Sequence, residues 1–479
     1  MSNRLTHAVD PTNQVVLPEW WDRLQIAGQR MAQESYQERR DRLERLSKVL
    51  RTNEKAICEA LHKDLGKPAL ETKLTELLPV YLEIRHFKKN LRRWMKNRPV
   101  RPHFPYLLSK AHLAWQPKGC VLIVAPWNYP MNLALMPLIA ALAAGNSVVI
   151  KPSEFASATA ELLTQLLSQA IGNEAVRVVT GDASVGAALC ALPFDHMLFT
   201  GSERVGRKVA MAAADQLIPC TLELGGKSPV YVDESAPLAS AASKIYWGKW
   251  LNGGQTCIAP DYVLVNRSMI PALVEELKAA AMRAKGKDDS TPPSLCCQIH
   301  QEHANRMRQL LLEAVQQGAR IECGGNWDEN SLQLEPTILS GVQAGMRLMQ
   351  EEIFGPILPL VGVNHLEEAL ALVNSRPKPL SLYVFADNPE VQRRWTQETS
   401  SGSLTFNDVI VQISHPHLPF GGVGASGWGS YHGEYGFQAF SHAKPVMVNP
   451  HRPNIASLFY PPYTPFKTKL ASWFLRLMR

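Results

Sequence analysis

The chain is short of charge, of ordered cysteine spacing and of linker-like sequence, and each shortage removes a class of protein. Its eight cysteines are scattered, with no CxxC pair, which argues against the common zinc sites and disulfide frameworks. In a chain of 479 residues, thiols so spaced are expected to be reduced, and the protein to be cytoplasmic. Cys296 and Cys297 are adjacent and read as packing or surface thiols. The start, Met-Ser-Asn-Arg-Leu-Thr-His, lacks the apolar core of a secretory signal. Charged residues make up only 19% and the formal net charge is +7, so nucleic acid is not an expected partner. No internal repeat or low-complexity linker stands out. No charged residue lies between Lys118 and Lys151, which is long enough to span a bilayer. Pro126, Asn128, Pro130, Asn132, Pro137, Gly145 and Asn146 interrupt it, so it reads as a buried strand, a turn, a buried helix and a second strand.

What is present is a large apolar share, 46%, enough for cores in two or three domains. From about Pro18 to Trp94 the sequence is helical, with Leu43, Leu46, Leu50 and Ile57 at helical spacing. The basic run Arg85 to Arg101 reads as a solvated helix face. Pro99, Pro102 and Pro105 then lead into an extended segment, Leu107 to Trp115. From Gly119 short apolar runs alternate with helical ones. Strands are expected at Gly119–Pro126, Ser147–Lys151, Ala175–Thr180, His196–Thr200, Cys220–Leu224 and Pro229–Val232. Helices are expected at Met131–Ala144, Ser157–Ile171, Val185–Leu192 and Arg204–Asp215. That alternation implies βαβ units and a parallel sheet covered on both faces, with ligands at the carboxyl ends of its strands. A second α/β block follows, from about Glu234 to Leu404, with helices Ile270–Lys285 and His303–Gln317.

Four constellations carry chemistry. Asn252-Gly253-Gly254-Gln255-Thr256-Cys257 sets a thiol after two glycines, where the backbone can turn sharply and approach a ligand. A thiolate there would be a nucleophile, although a buried structural cysteine has the same look. Glu223, between leucines and followed by Gly225 and Gly226, is expected to be desolvated and so raised towards a general-base pKa. A salt bridge to Lys227 is the plainer alternative. Asn128, between Pro126 and Pro130, can donate to an oxyanion or merely cap a turn. Phe199-Thr200-Gly201-Ser202-Glu203-Arg204-Val205-Gly206 runs from strand to helix and suits pyrophosphate, without being the GxGxxG fingerprint.

Taken in order, PWNYP, VVIKPSE, FTGSERVG, LELGGKSP, GGQTC, EEIFGP and LPFGGVGASG make the chain resemble the aldehyde dehydrogenase superfamily over nearly its whole length. The ending GSYHGEYGFQAFSHAK, and the lack of a long extension before the first helices, resemble its class 3 branch, which includes fatty aldehyde and coniferyl aldehyde dehydrogenases. The resemblance implies an α/β fold. A Rossmann-like cofactor domain would comprise 1–105 and 117–224, an α/β catalytic domain 225–404, a β oligomerisation arm 106–116 and 405–445, and a tail 446–479. It implies oxidation of an aldehyde through a thiohemiacetal and thioester on Cys257, with Asn128 and the Cys257 N–H holding the oxyanion and Glu223 activating water. It implies NAD, with NADP possible, held by Trp127, Lys151, Glu154, Gly201, Ser202, Gly206, Glu352 and Phe354. No metal is implied, and a homodimer is. Trp127, Tyr129 and Trp247 near the mouth suggest aromatic or medium-to-long aliphatic aldehydes. An acylating, coenzyme A-dependent dehydrogenase is the nearest rival reaction, and a thiol hydrolase or acyltransferase or a silent binding protein the more distant ones. In the tail, Phe466, Leu470, Trp473, Phe474 and Leu477 share one helical face, while Lys467, Lys469, Arg476 and Arg479 fall mostly elsewhere. Such a helix either lies on a membrane surface or packs on protein.

Overall fold

The expected alternation of strand and helix builds two parallel sheets, seen here in a computed structural model that describes residues 17–103, 106–285, 295–328, 331–452 and 455–477. The first sheet runs in the order Gly427–Trp428, Cys220–Leu224, His196–Gly201, Cys120–Val124, Ser147–Lys151, Val176–Val178. All its pairs are parallel except the one at Gly427–Trp428. The chain leaves Cys120–Val124 towards one edge and returns on its other side, so the carboxyl ends of Cys120–Val124 and His196–Gly201 form a topological switch point. The second sheet runs Arg320–Cys323, Thr337–Ser340, Ile357–Val363, Tyr262–Asn266, Pro229–Val232, Ser381–Phe385, Ser403–Phe406. Only its first strand is antiparallel. The two sheets are joined by Gly225–Ser228, directly after Glu223.

The uncharged stretch resolves as the sequence suggests. Cys120–Val124 and Ser147–Lys151 pair in parallel, and the helix between them, Asn132–Ala144, is buried on nearly every side. A helix apolar all round belongs inside a core. No helix among the described residues is long and apolar enough to cross a membrane. The helices ahead of the first sheet close over this one. Leu43, Leu46, Leu50, Ile57, Phe87 and Leu91 join the same core cluster as Leu138 and Leu142. The basic run is a solvated face: in Leu78–Trp94 the apolar side, Val80, Ile84, Phe87, Leu91 and Trp94, is buried, and Arg85, Lys89, Arg92 and Arg93 face out.

A separate antiparallel sheet pairs Lys110–Pro117 with Arg98–Val100 on one side and Ser441–Val448 on the other. The segment between Phe406 and Ser441 does not extend it. It turns back over the catalytic cleft, where Ile410, Val411, Ile413, Phe420 and His432 line the cavity described below. The tail forms the helix Pro465–Leu477. Its apolar face is open in the single chain, with Phe466 69% and Trp473 56% exposed. Arg479 and the Leu477 side chain lie outside the described residues.

One glycine fixes how closely helix and sheet approach. In Glu203–Asp215, a Cβ on Gly206 would lie 2.5 Å from a Leu224 methyl carbon. Gly206→Val is expected to lower stability by about 1–3 kcal/mol through overpacking, read as the midpoint of chemical denaturation. An unchanged midpoint would mean that this helix does not rest on Leu224.

Candidate active site

Asn252, Gly253 and Gly254 are consecutive left-handed residues, with φ of 56°, 63° and 77°. Glycine is the residue that adopts this conformation without penalty, and here it has a second reason. A Cβ on Gly254 would fall 2.3 Å from the Gly355 carbonyl oxygen, so the turn is pressed against the EEIFGP segment. Cys257 follows at once and lines a cavity of about 1120 Å³, with Glu223 in the same wall. The loop is stitched to the one after the strand Cys120–Val124. Asn128 Nδ2 donates to the Gln255 carbonyl at 2.9 Å, and the Tyr129 and Thr256 hydroxyls meet at 2.7 Å.

Glu223 is the penultimate residue of the strand Cys220–Leu224. It is 2% exposed, and among the described residues neither carboxylate oxygen has a hydrogen-bond partner. Burial alone pushes its pKa well above the carboxylate range, because a charge there would lose its hydration with nothing in return. The salt bridge to Lys227 does not form. Lys227 instead pairs with Asp261 and donates to the carbonyls of Leu348 at 2.9 Å and Glu351 at 2.8 Å.

Burial also pushes the Cys257 thiol up, to about 12. The carboxyls of Glu352 and Glu223 add to that, and the backbone N–H groups of Cys257 and Ile258 oppose it. Glu352 is raised to about 8 by burial and by Asp261. Its carboxylate takes the space a side chain on Gly225 would need, 2.2 Å from the notional Cβ. Burial thus raises the nucleophile and both acids together, and the backbone N–H groups of Cys257 and Ile258 favour the thiolate.

The remaining candidates fall into two groups. Phe354, in a left-handed conformation with φ of 53°, meets the Trp127 ring edge-on at 5.4 Å, and its carbonyl lies 2.8 Å from His303 Nε2. Trp127 therefore belongs with the EEIFGP segment rather than with the cavity wall, where Tyr129 and Trp247 stand. At the ends of the central strands, Lys151 Nζ donates to Glu154 at 2.7 Å. Glu154 lines a second cavity, of about 580 Å³, with Pro152, Ser153, Thr180 and Gly181. Gly201 closes against the Phe199 ring, 2.7 Å from a notional Cβ. Ser202 precedes the helix Glu203–Asp215 without capping it by its side chain, which leaves that N-terminus able to receive an anion.

Two groups beside the nucleophile are not among the residues the motifs single out. Lys67 and Glu76 form an ion pair at 2.6 Å with both side chains fully buried, and Glu71 accepts from the Asn252 N–H at 2.7 Å. The sequence does hold a signal for Glu76. Thr72, Glu76, Val80 and Ile84 follow one another at intervals of four on a buried stripe, and a charge on such a stripe needs a partner. Nothing comparable marks Lys67.

A thiol pinned on a glycine turn and faced by two buried carboxyl groups, where two mainly parallel sheets meet, is the arrangement of an enzyme that works through a covalent thiol adduct. More narrowly, the chain belongs to the aldehyde dehydrogenase family, whose family model matches residues 23–446. It is 42% identical to mouse aldehyde dehydrogenase family 3 member B2 over 90% of this chain and 89% of that one. It is 40% identical to the 4,4'-diaponeurosporen-aldehyde dehydrogenase of Staphylococcus aureus over 89% of this chain and 92% of the relative. A solved structure of Staphylococcus aureus AldH in its substrate-bound state superposes with a TM-score of 0.91 at 38% identity, covering 95% of this chain and 99% of the other. The resemblance read in the sequence motifs and the aldehyde dehydrogenase fold both hold.

The raised thiol gives a direct test in cofactor-free protein. Below its pKa the thiolate fraction falls about tenfold per pH unit, so alkylation of Cys257 by iodoacetamide should be slow at pH 7 and climb steeply to pH 10. Glu352 ionises near 8 and from then on opposes the thiolate, so Glu352→Gln should speed alkylation at pH 9 severalfold. A rate flat with pH would show that Cys257 is a thiolate in the resting protein.

Proposed function

We propose that the chain oxidises medium-to-long-chain aliphatic aldehydes, and aromatic ones of coniferyl aldehyde type, to carboxylic acids with NAD or NADP. The observation that carries this reading is the large cavity ending on Cys257 and Glu223. Its walls are mostly apolar and aromatic, including Leu133, Met136, Tyr129, Tyr246, Trp247 and Trp327. The Staphylococcus aureus relative, by its name, acts on 4,4'-diaponeurosporen-aldehyde, and a mostly apolar aldehyde suits this cavity.

In this reading the Cys257 thiol gives its proton to water in the cavity as the sulfur attacks the carbonyl carbon. The spare N–H of the Asn128 amide and the Cys257 backbone N–H hold the resulting oxyanion, a donor of this kind being worth ~3 kcal/mol of barrier. The residues present fit a nicotinamide dinucleotide. Glu154 lines the second cavity with Lys151 bonded to it, the helix after Ser202 has an open N-terminus, Glu352 acts on the thiol, and Phe354, two residues on, packs against Trp127. When bound, that group supplies the hydride acceptor. Loss of hydride from the thiohemiacetal carbon leaves a thioester on Cys257. In its deprotonated form Glu223 takes a proton from water, whose oxygen adds to the thioester carbon; the adduct collapses to release the acid, and the departing Cys257 thiolate regains the proton. Glu223 also favours hydrolysis over transfer to coenzyme A. Glu154 would crowd a 2′-phosphate, which favours NAD.

The homodimer would form through the sheet containing Lys110–Pro117 and Ser441–Val448, and the protein would be cytoplasmic. The helix Pro465–Leu477 would touch a membrane peripherally, because Phe466 and Trp473 are exposed beside Lys467, Lys469 and Arg476. Ending the chain at Thr464 is then expected to reduce co-sedimentation with anionic lipid vesicles and leave turnover of hexanal unchanged. Equal sedimentation of the two forms would remove the membrane contact.

Turnover is read as absorbance of reduced nicotinamide with benzaldehyde, coniferyl aldehyde, hexanal and decanal, each with NAD and NADP. Wild-type protein is expected to turn over, and kcat/KM to rise from hexanal to decanal by up to about fourfold per methylene. Cys257→Ala is expected to be inactive. No turnover with any of these aldehydes would overturn the proposal.

A further inference from the structure

The residues that place the oxyanion donor are themselves held by a fully buried ion pair. Lys67 Nζ donates to Glu76 Oε1 at 2.6 Å and to the Asn128 carbonyl at 3.3 Å. Asn252 Nδ2 donates to the same carbonyl at 2.8 Å, so two donors converge on one oxygen. The other Glu76 oxygen accepts from the Asn132 N–H at 2.9 Å, at the start of the buried helix. The Lys67 ammonium also stands 4.2 Å from the centre of the Tyr129 ring, whose hydroxyl reaches Thr256. Glu71, in the same segment, accepts from the Asn252 N–H at 2.7 Å. Residues 67–76 thus grip both ends of the Asn128 loop and the start of the Cys257 turn.

Stability alone gives no reason for such a pair. Two fully buried charges lose their hydration, and an apolar pair of equal volume often serves a fold as well or better. What an apolar pair cannot do is fix the Asn128 carbonyl and the Asn132 N–H at set positions. We propose that Lys67, braced by Glu76, is a positioning residue for the oxyanion site: it orients the peptide of Asn128 so that the Asn128 amide, tied by one N–H to Gln255, presents the other to the substrate oxygen. This rests on the role assigned to Asn128 above.

The test is a set of four variants, Lys67→Met, Asn128→Ala, the two combined, and the paired Lys67→Met/Glu76→Leu. They are assayed for decanal oxidation and for cofactor-free hydrolysis of 4-nitrophenyl acetate, which forms an oxyanion at the same place without hydride loss. Asn128→Ala is expected to lower kcat by about 10²- to 10³-fold. Lys67→Met should lower kcat by about 10- to 100-fold, as misplacement of a reacting group does, with KM little changed and ester hydrolysis falling in step. The deciding result is the combined variant. With Asn128 already gone, Lys67→Met should change kcat by no more than about twofold, because the two act through one interaction. If Lys67→Met does not fold, the paired variant, which leaves no unpaired buried charge, should fold and show the same loss of kcat. A folded Lys67→Met or paired variant with full kcat would overturn the proposal, as would the same fold-loss in the presence and absence of Asn128. Unchanged turnover in Asn128→Ala would instead overturn the role of Asn128 itself.

Discussion

Burial of Glu223 without a protein partner is the constraint on which the rest of the site depends. A carboxyl in that setting favours its protonated form, and among the described residues none donates to either oxygen. Burial raises Cys257 and Glu352 as well, so three acidic groups share one low-dielectric space. Whichever of them loses its proton first makes the others harder to ionise. The backbone N–H groups of Cys257 and Ile258 act in the other direction on the thiol.

Keeping such a pocket in shape requires rigid walls, and these come from polar ties buried behind the apolar surface. Asn128 to Gln255, Tyr129 to Thr256, Glu71 to Asn252 and Lys67 to Glu76 connect the first sheet, residues 67–76 and the nucleophile turn. Gly254, closing on Gly355, adds the EEIFGP segment to that assembly. Each tie is modest in net energy. Their value lies in fixing one arrangement of loops that hydrophobic packing alone would leave loosely defined.

Much of this is legible in the sequence. The strands of the first sheet appear where apolar runs bounded by glycine and proline place them, because a strand buried on both faces must be apolar throughout. Cys257, Glu223 and Asn128 carry local signatures, so their neighbours in the chain are enough to pick them out. What stays hidden depends on distance in the chain. Lys67 is separated from Asn128 by 61 residues, and Lys227 finds Asp261 rather than Glu223 only because the second sheet brings Asp261 beside it. Gly206 reads as part of a phosphate turn, yet its bare backbone also lets the helix settle on Leu224. Ring packing sets Trp127 beside Phe354 instead of in the cavity wall. Pairwise choices of this kind are made by the fold, and periodicity says nothing about them.

The cavity and the dry acids also constrain how substrate length can act. Apolar contacts along the walls are made equally by the bound aldehyde and by the thiohemiacetal, so they strengthen binding of both states alike. Uniform binding of that kind raises kcat/KM and lowers KM while leaving kcat where the chemistry sets it. A long chain does one further thing, since filling the cavity expels water from above Cys257 and strengthens the hydrogen bonds to the oxyanion. If Glu223 activates water as proposed, that water must then come from a side other than the substrate mouth. Thr200 and Leu224 line the cavity next to Glu223, at the carboxyl ends of the first-sheet strands where the dinucleotide would bind. Water arriving from that side would meet the thioester on the face away from the substrate chain.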